Sequence, residues 1–253
     1  MKHILPLLLL VVTISACKKK PDPLTPEVPV TKNANGELRI SISHVAGNQA
    51  LQAGKGWYKT ENGDSLQIDR LLYFLSNFKL VKADGSMYIE PESYYLVQHK
   101  NDTDFTIVIE DVPPGQYSKL VFLLGVDSAR NTSGAQTGAL DPNSGMFWDW
   151  NTGYIMARLE GKSPQSTNHG SVIYHLGGYK GFYSVLREIS LDAAMKIEVG
   201  KPVNMHIKAN ALEWFKTPNK IDIAKTSVMM SAGPNASKLA DNCADMFKID
   251  HID

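Results

Sequence analysis

Three histidines occupy positions suited to binding a metal ion: His44, His99 and His175. Each lies at or near the end of a segment with a strand-like sequence, and strand ends bring residues that are distant in the chain to the rim of a β-sandwich. Imidazole is a common protein ligand for transition metals and suits copper and zinc. The sequence therefore predicts that these three rings meet at one rim and hold a metal ion. For each histidine alone, a hydrogen-bonded residue of the core or rim is the alternative.

Residues 145–161 contain two of the four tryptophans, Trp148 and Trp150. Aromatic rings this dense between a loop and a strand either anchor the loop by burial or line a binding site. Methionine sulfur is a soft ligand for Cu(I), so Met146 and Met156 are further candidates, although a methionine in an aromatic strand is more often part of a core. We expect Trp148, Trp150 and Met146 to line the site.

The remaining histidines are weaker candidates. The alternation of residues 203–209 places His206 on the polar face of a strand. His169 and His251 are expected in a loop and in the tail, and His3 lies in a segment expected to be removed. Cys243 is spaced like a buried residue of a helix, and the sequence offers it no second thiol for a metal pair.

Alternating polarity and frequent turn signals predict a mainly β domain around these residues. In residues 38–44 every second side chain is apolar, and this pattern puts His44 on the buried face. Short strands separated by turns predict an antiparallel β-sandwich with long loops and a short C-terminal helix. The other expected strands are 75–81, 93–98, 104–110, 117–126, 154–159, 171–178, 182–191, 194–199 and 203–209, and the helix is expected at about 236–247.

The N-terminal segment has the pattern of a lipoprotein signal. Residues 1–16 combine a basic start, an apolar run too short to span a bilayer and small residues before Cys17. Cys17 is the expected lipid attachment site, residues 17–37 a Pro-rich tether, and residues 38–253 the domain. A lipidated protein is anchored to a membrane rather than embedded in it, so we expect a bacterial cell-envelope location, in the periplasm or at the outer membrane.

Composition and motifs exclude several functions. The formal net charge is zero and basic residues cluster only in the tether, so nucleic acid is not an expected partner. The sequence contains no nucleophile elbow, phosphate-binding glycine loop or dinucleotide fingerprint. We therefore expect a binding protein and not an enzyme.

Several motifs, which appear in family order, resemble the MbnP family, which comprises copper-binding proteins of methanotrophs, the surface copper protein CorA and many lipoproteins of other bacteria. The two most specific are Met-Phe-Trp-x-Trp at 146–150 and His-Leu-Gly at 175–177. The others lie at 68–78, 112–117, 121–127, 153–154, 158–161 and 241–247.

The resemblance implies a β-rich extracytoplasmic domain that binds one copper ion through histidines. In characterised members a tryptophan oxidised to kynurenine contributes to the site, and a di-haem, peroxidase-like partner performs the oxidation. His175 matches the histidine of His-Leu-Gly, whereas His44 and His99 match by strand position, and Trp148 and Trp150 are the candidates for modification. Many relatives carry a cysteine shortly after His-Leu-Gly, where this chain has Gly-Tyr-Lys-Gly at 178–181.

A second hypothesis is a cell-envelope β-sandwich that recognises a protein or a glycan without a metal. Trp148, Trp150 and Tyr154 would then form an exposed contact surface.

Overall fold

The computed structural model describes residues 34–101, 103–148 and 153–253 of the chain. The predicted signal peptide, Cys17, most of the tether and Trp150 therefore lie outside the described residues. Strand β1 begins at Gly36, two residues before the expected start of the domain.

The described residues form two β-sheets, two short α-helices and connecting loops, as expected for a mainly β sandwich. In chain order the strands are β1 Gly36–Ala46, β2 Gln49–Ala50, β3 Trp57–Lys59, β4 Ser65–Val81, β5 Met87–Ile89, β6 Tyr94–Gln98, β7 Phe105–Val112, β8 Gly115–Leu124, β9 Ile155–Lys162, β10 Ser171–Gly177, β11 Arg187–Ile197, β12 Val203–Asn210, β13 Val228–Met229 and β14 Phe247–Ile252.

The first sheet is hydrogen-bonded in the order β14, β12, β1, β2, with β7 also paired to β1. The second sheet is connected in the order β11, β8, β4, β9, β10, β13, and β3, β5 and β6 also pair with β4. Most neighbours are antiparallel, but β1 pairs with β12 and β10 pairs with β13 in parallel. The parallel pairs are a departure from the purely antiparallel expectation, because alternation along a strand does not reveal which strand will lie beside it.

Helix α1 covers Ser128–Asn131 and helix α2 covers Pro234–Ala244, and three short 3₁₀ helices cover Gly138–Leu140, Pro142–Ser144 and Ala211–Phe215. Helix α2 is the expected C-terminal helix, and Pro234 at its start suits a position where no backbone donor is needed. Cys243 is fully buried in α2, as predicted. Within the described part of the chain, no helix has the length and apolar character needed to cross a membrane.

Strand β4, in the second sheet, is packed on both of its faces. Residues 71–76 are all buried, so their sequence lacks the alternation of a strand with one wet face. On one face Tyr73 packs against Phe247 of the first sheet, with ring centroids 5.6 Å apart. On the other, Phe74 packs against Tyr154 at the end of the long 127–154 connection, at 5.5 Å.

Candidate functional site

The structure brings His44 and His99 together between the sheets. His44 lies near the end of β1, on the same buried face as Ile40 and Ile42. His99 directly follows β6, and its backbone N–H donates to the carbonyl of Leu71 at 3.0 Å. The two imidazole rings meet edge to face, with centroids 5.1 Å apart. Both side chains are buried, at 5% exposure for His44 and 9% for His99.

His44 is held in a form suited to ligation. Burial, with a contribution from His99, lowers the pKa of His44 to about 3, so the ring is neutral at physiological pH. Its Nε2 lies 2.9 Å from the hydroxyl of Tyr73. The Nδ1 atom is buried and has no hydrogen-bond partner among the described residues. A neutral imidazole nitrogen in such a position is what a transition-metal ion requires.

His175 lies on the opposite face of the second sheet. In the paired strands it aligns with Arg158 of β9, which aligns with Leu72 of β4. Aligned residues share a face and consecutive residues alternate, so His175 faces away from the side that carries Tyr73. The expected meeting of all three rings is therefore observed only for His44 and His99.

A hydrogen-bond network fixes His175. Its Nε2 lies 2.8 Å from Oε1 of Glu160, which also accepts from Nε and Nη2 of Arg158 at 3.0 and 2.7 Å. Burial opposes ionisation of Glu160, but the hydrogen bonds from His175 and Arg158 outweigh it and lower the pKa of this carboxyl. Burial lowers the pKa of His175 despite the carboxylate. The neutral ring thus donates Nε2–H to Glu160.

The same network holds Gly145, the first residue of the Trp-rich stretch (residues 145–161). Nη1 of Arg158 donates to the carbonyl of Gly145 at 2.8 Å, and the backbone of Met146 accepts from Ile155 at 2.9 Å. The ring of Trp148 covers Gly177, where a Cβ atom would lie 2.2 Å from Cζ3 of the indole. Trp148 therefore lies beside the end of β10, the strand that carries His175. Met146, two residues before Trp148, is completely buried.

The described members of the proposed aromatic contact surface are buried. Trp148 is 4% exposed and Tyr154 is 1% exposed, and the hydroxyl of Tyr154 donates to the carbonyl of Leu140 at 2.6 Å. The prediction that these two side chains form an exposed platform is wrong, because Trp148 packs on Gly177 and Tyr154 on Phe74, both in the second sheet. Among the described residues, the large aromatic side chains that are exposed are instead Phe182, Tyr183 and Trp57.

A different cluster meets the distance expected of a metal site. In the part of the chain that the structure describes, one group of three histidine, cysteine or acidic residues has its ligand atoms within 4.8 Å of one another: His206, His251 and Asp253. His251 was expected in the tail, but it lies in strand β14. The extra residue Asp250 interrupts the alternation of this segment and hides its strand character.

Sequence reasoning also missed Tyr73 and Glu160. Packing of the two sheets places Tyr73 of β4 against His44 of β1, and the pairing of β9 with β10 places Glu160 beside His175. Both residues fall within segments that resemble the family, 68–78 and 158–161, but these segments do not single them out. The one separate signal is the Tyr73 hydroxyl, which needs a partner in a long apolar segment.

Comparisons with known proteins agree with this fold. The family model described as MbnP matches residues 35–231. The solved structure of MbnP from Methylosinus trichosporium is similar with a TM-score of 0.50 and 14% identity, and the match covers 81% of this chain and 83% of that one. No curated protein matches the chain.

Proposed function

Because the chain belongs to the MbnP family, we propose that it is an extracytoplasmic, membrane-anchored lipoprotein that binds one copper ion through histidines. The observation that carries this proposal is the buried pair of His44 and His99, with ring centroids 5.1 Å apart. Imidazole is a suitable ligand for copper, and the proposed role is binding rather than catalysis.

The residues around the pair fit such an ion. Burial keeps His44 neutral, with a pKa of about 3, so no proton has to be displaced from the ring before it binds a metal. If Nε2–H donates to Tyr73, the lone pair of Nδ1 remains available in the buried space. The aromatic and aliphatic surroundings limit water access, which influences the redox potential of a bound copper ion.

His175 has a different role in this proposal. It hydrogen-bonds Glu160, and Glu160 hydrogen-bonds Arg158, which in turn holds the carbonyl of Gly145. We assign His175 to positioning the Trp-rich stretch, although it matches the family histidine of His-Leu-Gly.

Copper titration of the metal-free protein tests the assignment. We expect the double variant His44→Gln with His99→Gln to bind copper at least about 100-fold more weakly in competition with a Cu(I) chelator. His175→Gln serves as the matched control and should retain the affinity. The assignment is refuted if the double variant binds one equivalent as tightly as the parent, or if only His175→Gln loses binding.

Anchorage is tested separately on the full chain. Cys17 is the proposed acceptor of the lipid, so Cys17→Ser should move the protein from the membrane fraction to the soluble fraction of the cell envelope. Membrane association that survives this change would contradict the lipoprotein proposal without affecting the copper site.

From the resemblance to the family we also propose that a di-haem, peroxidase-like partner oxidises Trp148 or Trp150. The intact mass of protein purified from native membranes tests this step, because kynurenine and tryptophan differ in mass. An unmodified mass in the copper-loaded protein would refute the proposed oxidation.

A further inference from the structure

A second cluster of metal-binding side chains lies on the solvent face of the first sheet, where β12 and β14 pair. His206 of β12 is aligned with His251 of β14, and their rings are stacked with centroids 4.1 Å apart and planes 10° apart. Asp253 follows β14, and its Oδ1 lies 3.4 Å from Nε2 of His206. This cluster shares no residue with the His44–His99 pair.

A β-bulge creates the arrangement. Ile207 is aligned with Ile249 whereas His206 is aligned with His251, so β14 has one extra residue, Asp250, at this point. A bulge of this kind redirects the side chains that follow it. Here it places His251 opposite His206, and Asp253, two residues later, falls on the same face.

Backbone hydrogen bonds and the carboxylate of Asp250 hold the side chains of this cluster in position. Asn204 and Asp253 exchange two backbone hydrogen bonds, at 2.7 and 2.9 Å, which hold Asp253 beside β12. Oδ2 of Asp250 lies 3.2 Å from Nδ1 of His251, while its other oxygen pairs with Lys208. A carboxylate on one histidine nitrogen fixes the tautomer and leaves Nε2 for a metal, an arrangement typical of metal-ligating histidines.

We propose that His206, His251 and Asp253 bind a divalent transition-metal ion at the surface of the protein. Two imidazoles and one carboxylate are a common protein ligand set for zinc, with water in the fourth position. Ligand atoms of a tetrahedral zinc site lie about 3.3–3.5 Å apart, so side chains whose ligand atoms are within 4.8 Å of one another need only small rotations to close around the ion. The side chains are 36%, 55% and 66% exposed, so the ion has direct access from solvent.

Such an ion would join two strands. Because His206 belongs to β12 while His251 lies in β14 and Asp253 directly follows it, the bound metal clamps the edge strand of the first sheet to its neighbour. Metal binding then stabilises the folded state by mass action and restricts opening of β14.

Zinc titration of the metal-free protein, purified without a histidine tag, tests the site. We expect one zinc equivalent at this site in the parent, with affinity reduced at least about tenfold in His206→Asn and in His251→Asn. His169→Asn is the matched control, because it removes an exposed histidine elsewhere and asparagine tolerates the positive φ of 49° at that position. The double variant of His44 and His99 should retain this zinc site. The zinc proposal can therefore fail without the copper proposal failing, and the reverse.

Hydrogen exchange of the unaltered protein provides a measurement that does not depend on variants. Zinc should slow the exchange of backbone amides in β12 and β14 relative to the rest of the first sheet. The proposal is overturned if zinc leaves these strands unprotected, or if His206→Asn and His251→Asn bind zinc as tightly as the parent.

Discussion

A buried imidazole binds a metal through one nitrogen only if its proton sits on the other. In His44 the hydroxyl of Tyr73 lies 2.9 Å from Nε2, and Tyr73 is completely buried. Burial raises the pKa of Tyr73, so its hydroxyl stays protonated and its oxygen can accept the Nε2 proton. Tyr73 therefore acts on copper through His44, by setting the tautomer and orientation of the ring.

Replacing Tyr73 by Phe removes this hydrogen bond and leaves the ring in place. We expect copper affinity to fall by about 10- to 100-fold, as is usual when the partner of a metal-ligating histidine is lost. A competition titration with a Cu(I) chelator measures the change.

Tyr174→Phe is the control for Tyr73→Phe. Tyr174 is likewise completely buried in the second sheet, but its hydroxyl donates to the carbonyl of Thr226. Its loss should reduce stability without changing copper affinity. Equal effects of the two variants on copper would show that Tyr73 has no specific role.

At this scale, alternation was sufficient to place two of the three candidate histidines. His44 continues a strict apolar alternation and His99 shares a face with Val97, and both are buried as that pattern predicts. His175 follows Tyr174 and precedes Leu176, all three of which are buried. A segment covered on both faces gives no sign of which face a side chain takes, so the separation of His175 from the other two was not predictable.

At the scale of elements, the end of β10 and the Trp-rich stretch depend on each other. Gly177 is the last residue of β10, and its missing side chain provides the space for Trp148. Close packing of protein interiors means that even one added methyl group at such a contact must displace a neighbour.

Gly177→Ala should displace Trp148 from the sheet. A new Cβ would lie 2.2 Å from the indole ring, and overpacking of this kind typically costs about 1–3 kcal/mol. Urea denaturation measures the cost, and near-ultraviolet circular dichroism reports the changed environment of the ring.

The double variant Gly177→Ala with Trp148→Ala is the control. If the contact with the indole is the cause, the alanine at position 177 should cost much less when Trp148 is absent, and the two effects should be clearly non-additive. Additive effects would place the cost in the backbone of β10 instead.

The existence of a strand was predictable where one of its faces is wet, although its ends were not, since β1 runs from Gly36 to Ala46 and was expected at 38–44. Strand β1 was identified from alternation, and helix α2 from its apolar spacing, although it ends at Ala244 and not at Phe247. Strand β14 was missed because its bulge interrupts the alternation. In β4 only residues 75–81 were predicted as a strand, whereas the strand begins at Ser65.

At the scale of the whole molecule, the His44–His99 pair depends on how the sheets are assembled. Strand β1 lies between β12 and β7 in the first sheet, while His99 follows a strand of the second. The mainly β class was readable from the sequence, but the pairing of β1 with β12, distant in the chain, was not. Assembly of the sheets also removes His44 from water, and this makes the stability of the whole domain depend on pH.

The pKa of His44 is about 3 in the folded protein, compared with 6.5 when unperturbed, because burial and the neighbouring His99 disfavour the charged ring. Between these two values the unfolded chain binds one more proton than the folded chain, so the free energy of unfolding decreases as pH falls below about 6.5. The slope approaches about 1.4 kcal/mol per pH unit, which amounts to about 2 kcal/mol between pH 7 and pH 5.

Urea denaturation of metal-free protein at these two pH values should show this loss in the parent but not in His44→Gln. His175 and the carboxylates titrate in both proteins, so their contributions cancel in the comparison. A stability difference between parent and variant that is the same at both pH values would mean that His44 binds a proton as readily in the folded protein as in the unfolded chain.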